Sequence, residues 1–195
     1  MNNLREALGQ KDKKGFTLIE LLIVIAILAV LATAVTLILN PAELLRQGRD
    51  STRISDLGTL NSAIALYLAD VGNPSFASTT AQCTGGNTTL HGTATLCDNN
   101  TTRAVDGNGW VAINFEDISS GSPLSNLPLD PVEDSTYYYA FQGTSSETYE
   151  LNANMESTRY QGDTPGSDDV EGTDGGDDST IYEVGNDPGF DIISP

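Results

Sequence analysis

One carboxylate in this chain sits where carboxylates are expensive. Glu20 is the only ionisable side chain in an apolar stretch that fills residues 16–39. Even permissive insertion scales put an acid at the centre of a membrane helix at about 2.5 kcal/mol or more, so an acid placed there is a functional site by default. Its own helix offers no basic residue in reach, and the partner must come from elsewhere. A buried charge is tolerable when paired and costly once its partner is removed.

Two further groups of residues could do chemistry. Cys83 and Cys97 are the only cysteines. An even count beyond a membrane segment suggests a disulfide in an oxidising compartment. Closing a loop of this size is worth on the order of 3 kcal/mol. The other reading of the cysteines is a metal site, but tetrahedral zinc wants about four ligands, and His91, the single histidine, leaves that set short. Near the C-terminus, Asp168, Asp169, Asp174, Asp177 and Asp178 crowd among glycines, in a stretch (residues 163–191) with ten carboxylates and no basic residue. Calcium takes about six to eight oxygens from flexible loops, and crowded carboxylates repel one another without a counter-ion. Neither a twelve-position loop nor a glycine–aspartate nonapeptide repeat is present. Low hydrophobicity with high charge also suits a disordered, solvated tail; both readings stay open.

Nothing assembles into a catalytic centre. His91 lies in a polar Thr/Gly loop, and no Gly-x-Ser-x-Gly or phosphate-cradling glycine motif occurs. Adjacent acids such as Glu116-Asp117 and Glu133-Asp134 read as surface residues rather than as a glycosidase pair. The chain is therefore expected not to be an enzyme, and no cofactor other than calcium is expected.

The element that must position Glu20 is a helix. Residues 16–39 are too long for the apolar core of a removable secretory signal, which runs about 7–15 residues. At about 1.5 Å per residue they span a ~30 Å hydrocarbon layer with some tilt. Arg5, Lys11, Lys13 and Lys14 precede the span against Glu6 and Asp12, which puts that end in the cytoplasm and everything after Leu39 outside.

Gly15-Phe16-Thr17-Leu18-Ile19-Glu20, with the basic residues before it and the apolar run after it, resembles the processing site of type IV pilin and type II secretion pseudopilin precursors. The resemblance covers residues 11–39. It implies cleavage between Gly15 and Phe16 by a membrane-embedded prepilin peptidase, and N-methylation of Phe16. It also implies that Glu20 faces the Phe16 amine of a neighbouring copy during assembly. The fold it implies is α+β: a long N-terminal helix packed on a small antiparallel sheet. The partners it implies are further copies of the chain, minor pilins or pseudopilins, an assembly platform and the membrane. A second resemblance, over residues 110–160, rests on Leu127-Pro-Leu-Asp-Pro131 followed by tyrosine-rich runs and is similar to the C-terminal domain of major pseudopilins. It favours a pseudopilin over a surface pilus, and such proteins bind calcium in a C-terminal loop.

The domain plan follows. Residues 1–15 form the leader, 16–39 the assembly span, 40–72 an amphipathic continuation of the helix, 73–162 a globular head and 163–195 the acidic segment. Pro41 allows either a kink in one helix, which the family resemblance favours, or a break in which Asn40 caps a second helix led by Pro41. Leu57, Leu60, Ile64, Leu68 and Val71 recur at three and four, giving a stripe for a sheet. Arg46, Arg49, Asp50, Arg53 and Asp56 precede that stripe, with Arg46–Asp50, Asp50–Arg53 and Arg53–Asp56 spaced as helix pairs. They read either as a solvated face or as a belt meeting neighbouring subunits. Gly72-Asn73-Pro74 ends the helix.

Within the head, residues 110–118 alternate as a strand. Residues 136–141 and 147–151 read as a hairpin about a turn at 143–146, and Ile181-Tyr-Glu-Val184 as a last strand pinning the tail. Net charge is −18, and because the leader carries a surplus of two positive charges the remainder stands near −20. Such a surface repels phosphate backbones, and nucleic-acid binding is disfavoured.

Overall fold

A computed structural model describes residues 15–76, 78–85, 97–162 and 165–189. His91, Asp163, Asp191 and leader residues 1–14 lie outside the described residues. The chain divides into two compact units, parted between Pro41 and Ala42.

The first unit holds helix α1, Leu18–Leu39. It ends because Asn40 adopts the left-handed conformation (φ 40°, ψ 77°), which a short polar side chain tolerates. Pro41 has no N–H to extend the ladder but suits a first helical position, and it opens helix α2, Pro41–Asp70. The expected kink inside one helix is instead a break between two.

The second unit is α+β. Among the described residues a five-stranded, mostly antiparallel sheet is built from β1 (Gln82–Cys83), β2 (Asp98–Asn99), β3 (Tyr139–Gly143), β4 (Tyr149–Ala153) and β5 (Tyr182–Gly185), in the order β2-β1-β3-β4-β5. Only the β1–β2 pair is parallel. Strand alternation sends Tyr139, Phe141, Tyr149, Leu151 and Ala153 inward, where they join Leu57, Leu60, Ile64 and Tyr67 of α2 in one core. Each such large apolar side chain contributes about 1.5–3 kcal/mol by leaving water. Tyr67 takes a central place that the spacing gave to Leu68 and Val71, which are only partly buried. Its hydroxyl donates to the Ser75 carbonyl and accepts from the Ser75 N–H, both at 3.0 Å, which ties the helix end to the following turn.

The hairpin is present, two residues later than its sequence signal. Tyr139 pairs with Ala153 and Gly143 with Tyr149, and the Thr144 and Thr148 hydroxyls meet at 2.8 Å across the loop. Gly143 is needed because a Cβ there would run into the Phe76 ring. That ring sits edge-on to Phe141 and Tyr149 at 5.9 and 6.2 Å.

Residues 110–118 do not form a strand. Trp110, Val111, Ile113, Phe115 and Ile118 are buried from an irregular path that closes in a 3-10 turn, Phe115–Asp117, capped by the Asn114 side chain. Their alternation reports burial, which an irregular segment over a core produces as readily as a strand does. The Trp110 indole N–H donates to the Pro128 carbonyl at 2.9 Å, fastening this segment to the proline-punctuated connector.

Residues 165–189 are not a solvated tail: β5 pairs with β4, Ile181 is buried against Ala140 and Tyr138, and Glu171 and Glu183 are buried.

Candidate assembly site and the charges that support it

Gly15, Phe16 and Thr17 precede α1 in non-helical backbone, and Gly15 and Phe16 are exposed. The bond between Gly15 and Phe16 therefore lies outside helical hydrogen bonding. Thr17 starts the helix through a reciprocal cap. Its N–H and hydroxyl both donate to Glu20 Oε2 at 2.8 Å, and the Glu20 N–H donates to Thr17 Oγ1 at 3.3 Å. Capping of this kind is worth about 0.5–2 kcal/mol and satisfies backbone donors that a helix start leaves over. Sequence reasoning looked for a charged partner from elsewhere and overlooked this neutral one at home. The signal was legible, since Thr17 and Glu20 hold the spacing of a capping box.

Beyond Thr17 the side chains beside Glu20 are hydrocarbon: Phe16, Leu21, Ile23 and Val24 line a groove with it. Every described side chain of residues 18–36 is exposed, and Leu18–Thr36 is long and apolar enough to cross a membrane. That surface suits lipid, where the helix meets its own backbone hydrogen bonds.

The charged band of α2 does something else. Asp50 and Arg53 are wholly buried, so neither a solvated face nor a belt toward neighbours describes them. Arg53 donates to Asp130 through Nε and Nη2 at 2.6 and 2.8 Å and to Asp50 through Nη1 at 2.7 Å, and its Nη2 reaches Glu156 at 2.8 Å. Burial alone would lower the Arg53 pKa, but hydrogen bonds and charge from Asp130, Glu156 and Asp50 raise it well above the ordinary value. Burial likewise opposes ionised Glu156, yet Arg49 and Arg53 together hold it below the usual carboxylate range. Asp50 also accepts the Glu156 and Ser157 N–H groups at 2.9 and 2.7 Å. Of the three helix pairs expected here only Asp50–Arg53 forms: Arg46 pairs with Glu43 at 3.7 Å, and Asp56 accepts from the Tyr139 hydroxyl at 2.9 Å. No local pattern signals that Asp130 and Glu156, distant along the chain, converge on Arg53.

Cys83 and Cys97 form a disulfide with Cα atoms 5.8 Å apart, closing the loop beside the β1–β2 pair. The five aspartates offered for calcium are spread over separate contacts. Asp168 pairs with Arg159 at 2.7 Å, Asp169 accepts from Gly172, Asp174 accepts from Gly176 and Glu183, Asp178 accepts from Thr180, and Asp177 is also engaged. Among the described residues no three of His, Cys, Asp or Glu gather into a group able to hold a metal.

Residues 10–36 match a family model described as the prokaryotic N-terminal methylation motif, the signature of type IV pilins and pseudopilins. No curated protein and no solved structure matches the chain.

Proposed function

We propose that this chain is a structural subunit of a pilin-like filament, made as a precursor and stored in the cytoplasmic membrane until it polymerises. Prepilin peptidase cuts between Gly15 and Phe16, and Phe16 is N-methylated. Copies then bundle through α1, with Glu20 exchanging its Thr17 contacts for the Phe16 amine of a neighbour. The head lies outside the cytoplasm, and its role is structural rather than catalytic. The observation that carries this reading is the one ionisable side chain of α1, a carboxylate in a mostly apolar helix whose described side chains are exposed, within the methylation motif.

Among filament types we favour a type II secretion pseudopilus. The support is the Leu127-Pro-Leu-Asp-Pro131 connector, whose Asp130 is spent on the buried Arg53 rather than on a surface. Exchanging Glu20 for leucine should leave an intact, membrane-bound protein that enters no filament, measured by shearing and electron microscopy. Wild-type polymerisation by that variant would refute the assembly role. A long surface filament in the native cells would point instead to a type IV pilus.

A further inference from the structure

Among the described residues the sheet ends on one side at β2, a two-residue edge strand whose residues Asp98 and Asn99 are exposed. It is held to β1 by the Asp98 N–H on the Ala81 carbonyl and the Asn100 N–H on the Cys83 carbonyl, both 2.9 Å. Exposed edges invite pairing with other chains and are commonly blunted. Running through this edge is Asp98-Asn99-Asn100-Thr101-Thr102. Asn100-Thr101-Thr102 is an N-glycosylation acceptor, a pattern that calls for a surface location in an exported protein. Asp98 extends it with an acidic residue two places before the asparagine. The other asparagines with Thr two residues on, Asn87 and Asn99, have Gly85 and Cys97 at that place instead.

The local geometry suits the acceptor. The Thr102 N–H donates to Asn100 Oδ1 at 2.9 Å, which polarises the carboxamide and sets the hydroxy amino acid beside it. The Asn100 Nδ2 makes only a long bond, 3.4 Å, to the Asn108 carbonyl, so little holds it from a reaction partner. Asn100 is half-exposed, and Thr101 and Thr102 are exposed.

We propose that Asn100 is an N-glycosylation site of the exported head, a reading that rests on the head lying outside the cytoplasm. The co-reactant is a glycan carried on a polyisoprenyl diphosphate, brought by a membrane oligosaccharyl transferase. Asn100 Nδ2 attacks the anomeric carbon and a C–N bond forms. The C–O bond to the diphosphate breaks with its electron pair, and the amide nitrogen yields one proton to a base of the transferase. The attached glycan shields the β2 edge from pairing with neighbouring heads.

The test is intact-mass and fragment-ion spectrometry of the full chain purified from the cells that encode it, compared with Asn100→Gln, Thr102→Ala and Thr102→Ser variants. A saccharide mass on Asn100, lost in the first two variants and kept in the third, is the expected result. Protein that lacks residues 1–15 and has its disulfide closed, but carries a bare Asn100 or a glycan only at Asn87 or Asn99, overturns the proposal. Protein that keeps its leader with both thiols reduced overturns the export reading itself, and this site with it.

Discussion

Replacing Arg53 with methionine keeps most of the side-chain volume and removes the cation that Asp50 and Asp130 share. Arg53 and Asp50 are 0 % exposed and Asp130 is 5 % exposed, so water cannot take over as partner. Asp130 loses both arms of the guanidinium fork, and Asp50 keeps only its backbone donors from Glu156 and Ser157. Breaking a buried pair by removing one member costs about 3–5 kcal/mol, which for a unit of this size lowers Tm by roughly 6–20 °C. Arg46→Met is the matched control, since its ion pair with Glu43 is long and its side chain half-exposed. Such surface pairs are worth about 0–1 kcal/mol. Urea unfolding of the full chain in detergent can be followed by the single tryptophan, Trp110, which is fully buried. If Arg53→Met costs no more than Arg46→Met, the network is not holding helix to head. A smaller loss in Arg53→Met/Asp130→Asn than in Arg53→Met alone would confirm that a stranded carboxylate causes it.

Glu171 and Glu183 are each pushed up to about 7, by burial first, with Asp174 adding to both and Asp177 to Glu183. A carboxyl raised from 4.5 in this way favours the folded state most below pH 4.5 and loses that advantage as pH climbs through 7, on the order of 3 kcal/mol per group. The head should therefore resist urea better at pH 5 than at pH 8, with a weaker trend in Glu183→Gln; a flat profile would contradict it. Reducing the Cys83–Cys97 bond, or replacing both residues by alanine, should cost about 3 kcal/mol for a separation of 14 residues. A midpoint unmoved by reductant would argue against the bond. Gly143→Ala, whose Cβ meets the Phe76 ring, should lose about 1–3 kcal/mol by overpacking. Unchanged stability would mean that Phe76 can move away.

Periodicity carried the reading as far as local rules reach. Leu57, Leu60 and Ile64 lie inside because a helix repeats every 3.6 residues, and the hairpin emerged because strands alternate about a turn. The same rules failed at residues 110–118, where alternation came from a core filled by irregular chain. They failed again at Asp50 and Arg53, because charge in a sequence reads as surface until its distant partners are known. Of the candidate assembly site, Glu20 was visible because apolar surroundings isolate it. Thr17 was missed because a search for cations ignores a hydroxyl and an amide.

The cap on Glu20 also bears on timing. In the proposed maturation, cleavage after Gly15 would leave the Phe16–Thr17 peptide bond whole, and the Thr17 donors would survive unchanged. On that proposal a solitary subunit would rest in the bilayer with its acid already hydrogen-bonded by the Thr17 N–H and hydroxyl. The membrane would then keep a reservoir of polymerisation-ready copies, and joining the proposed filament would be a handover from one set of donors to a stronger one.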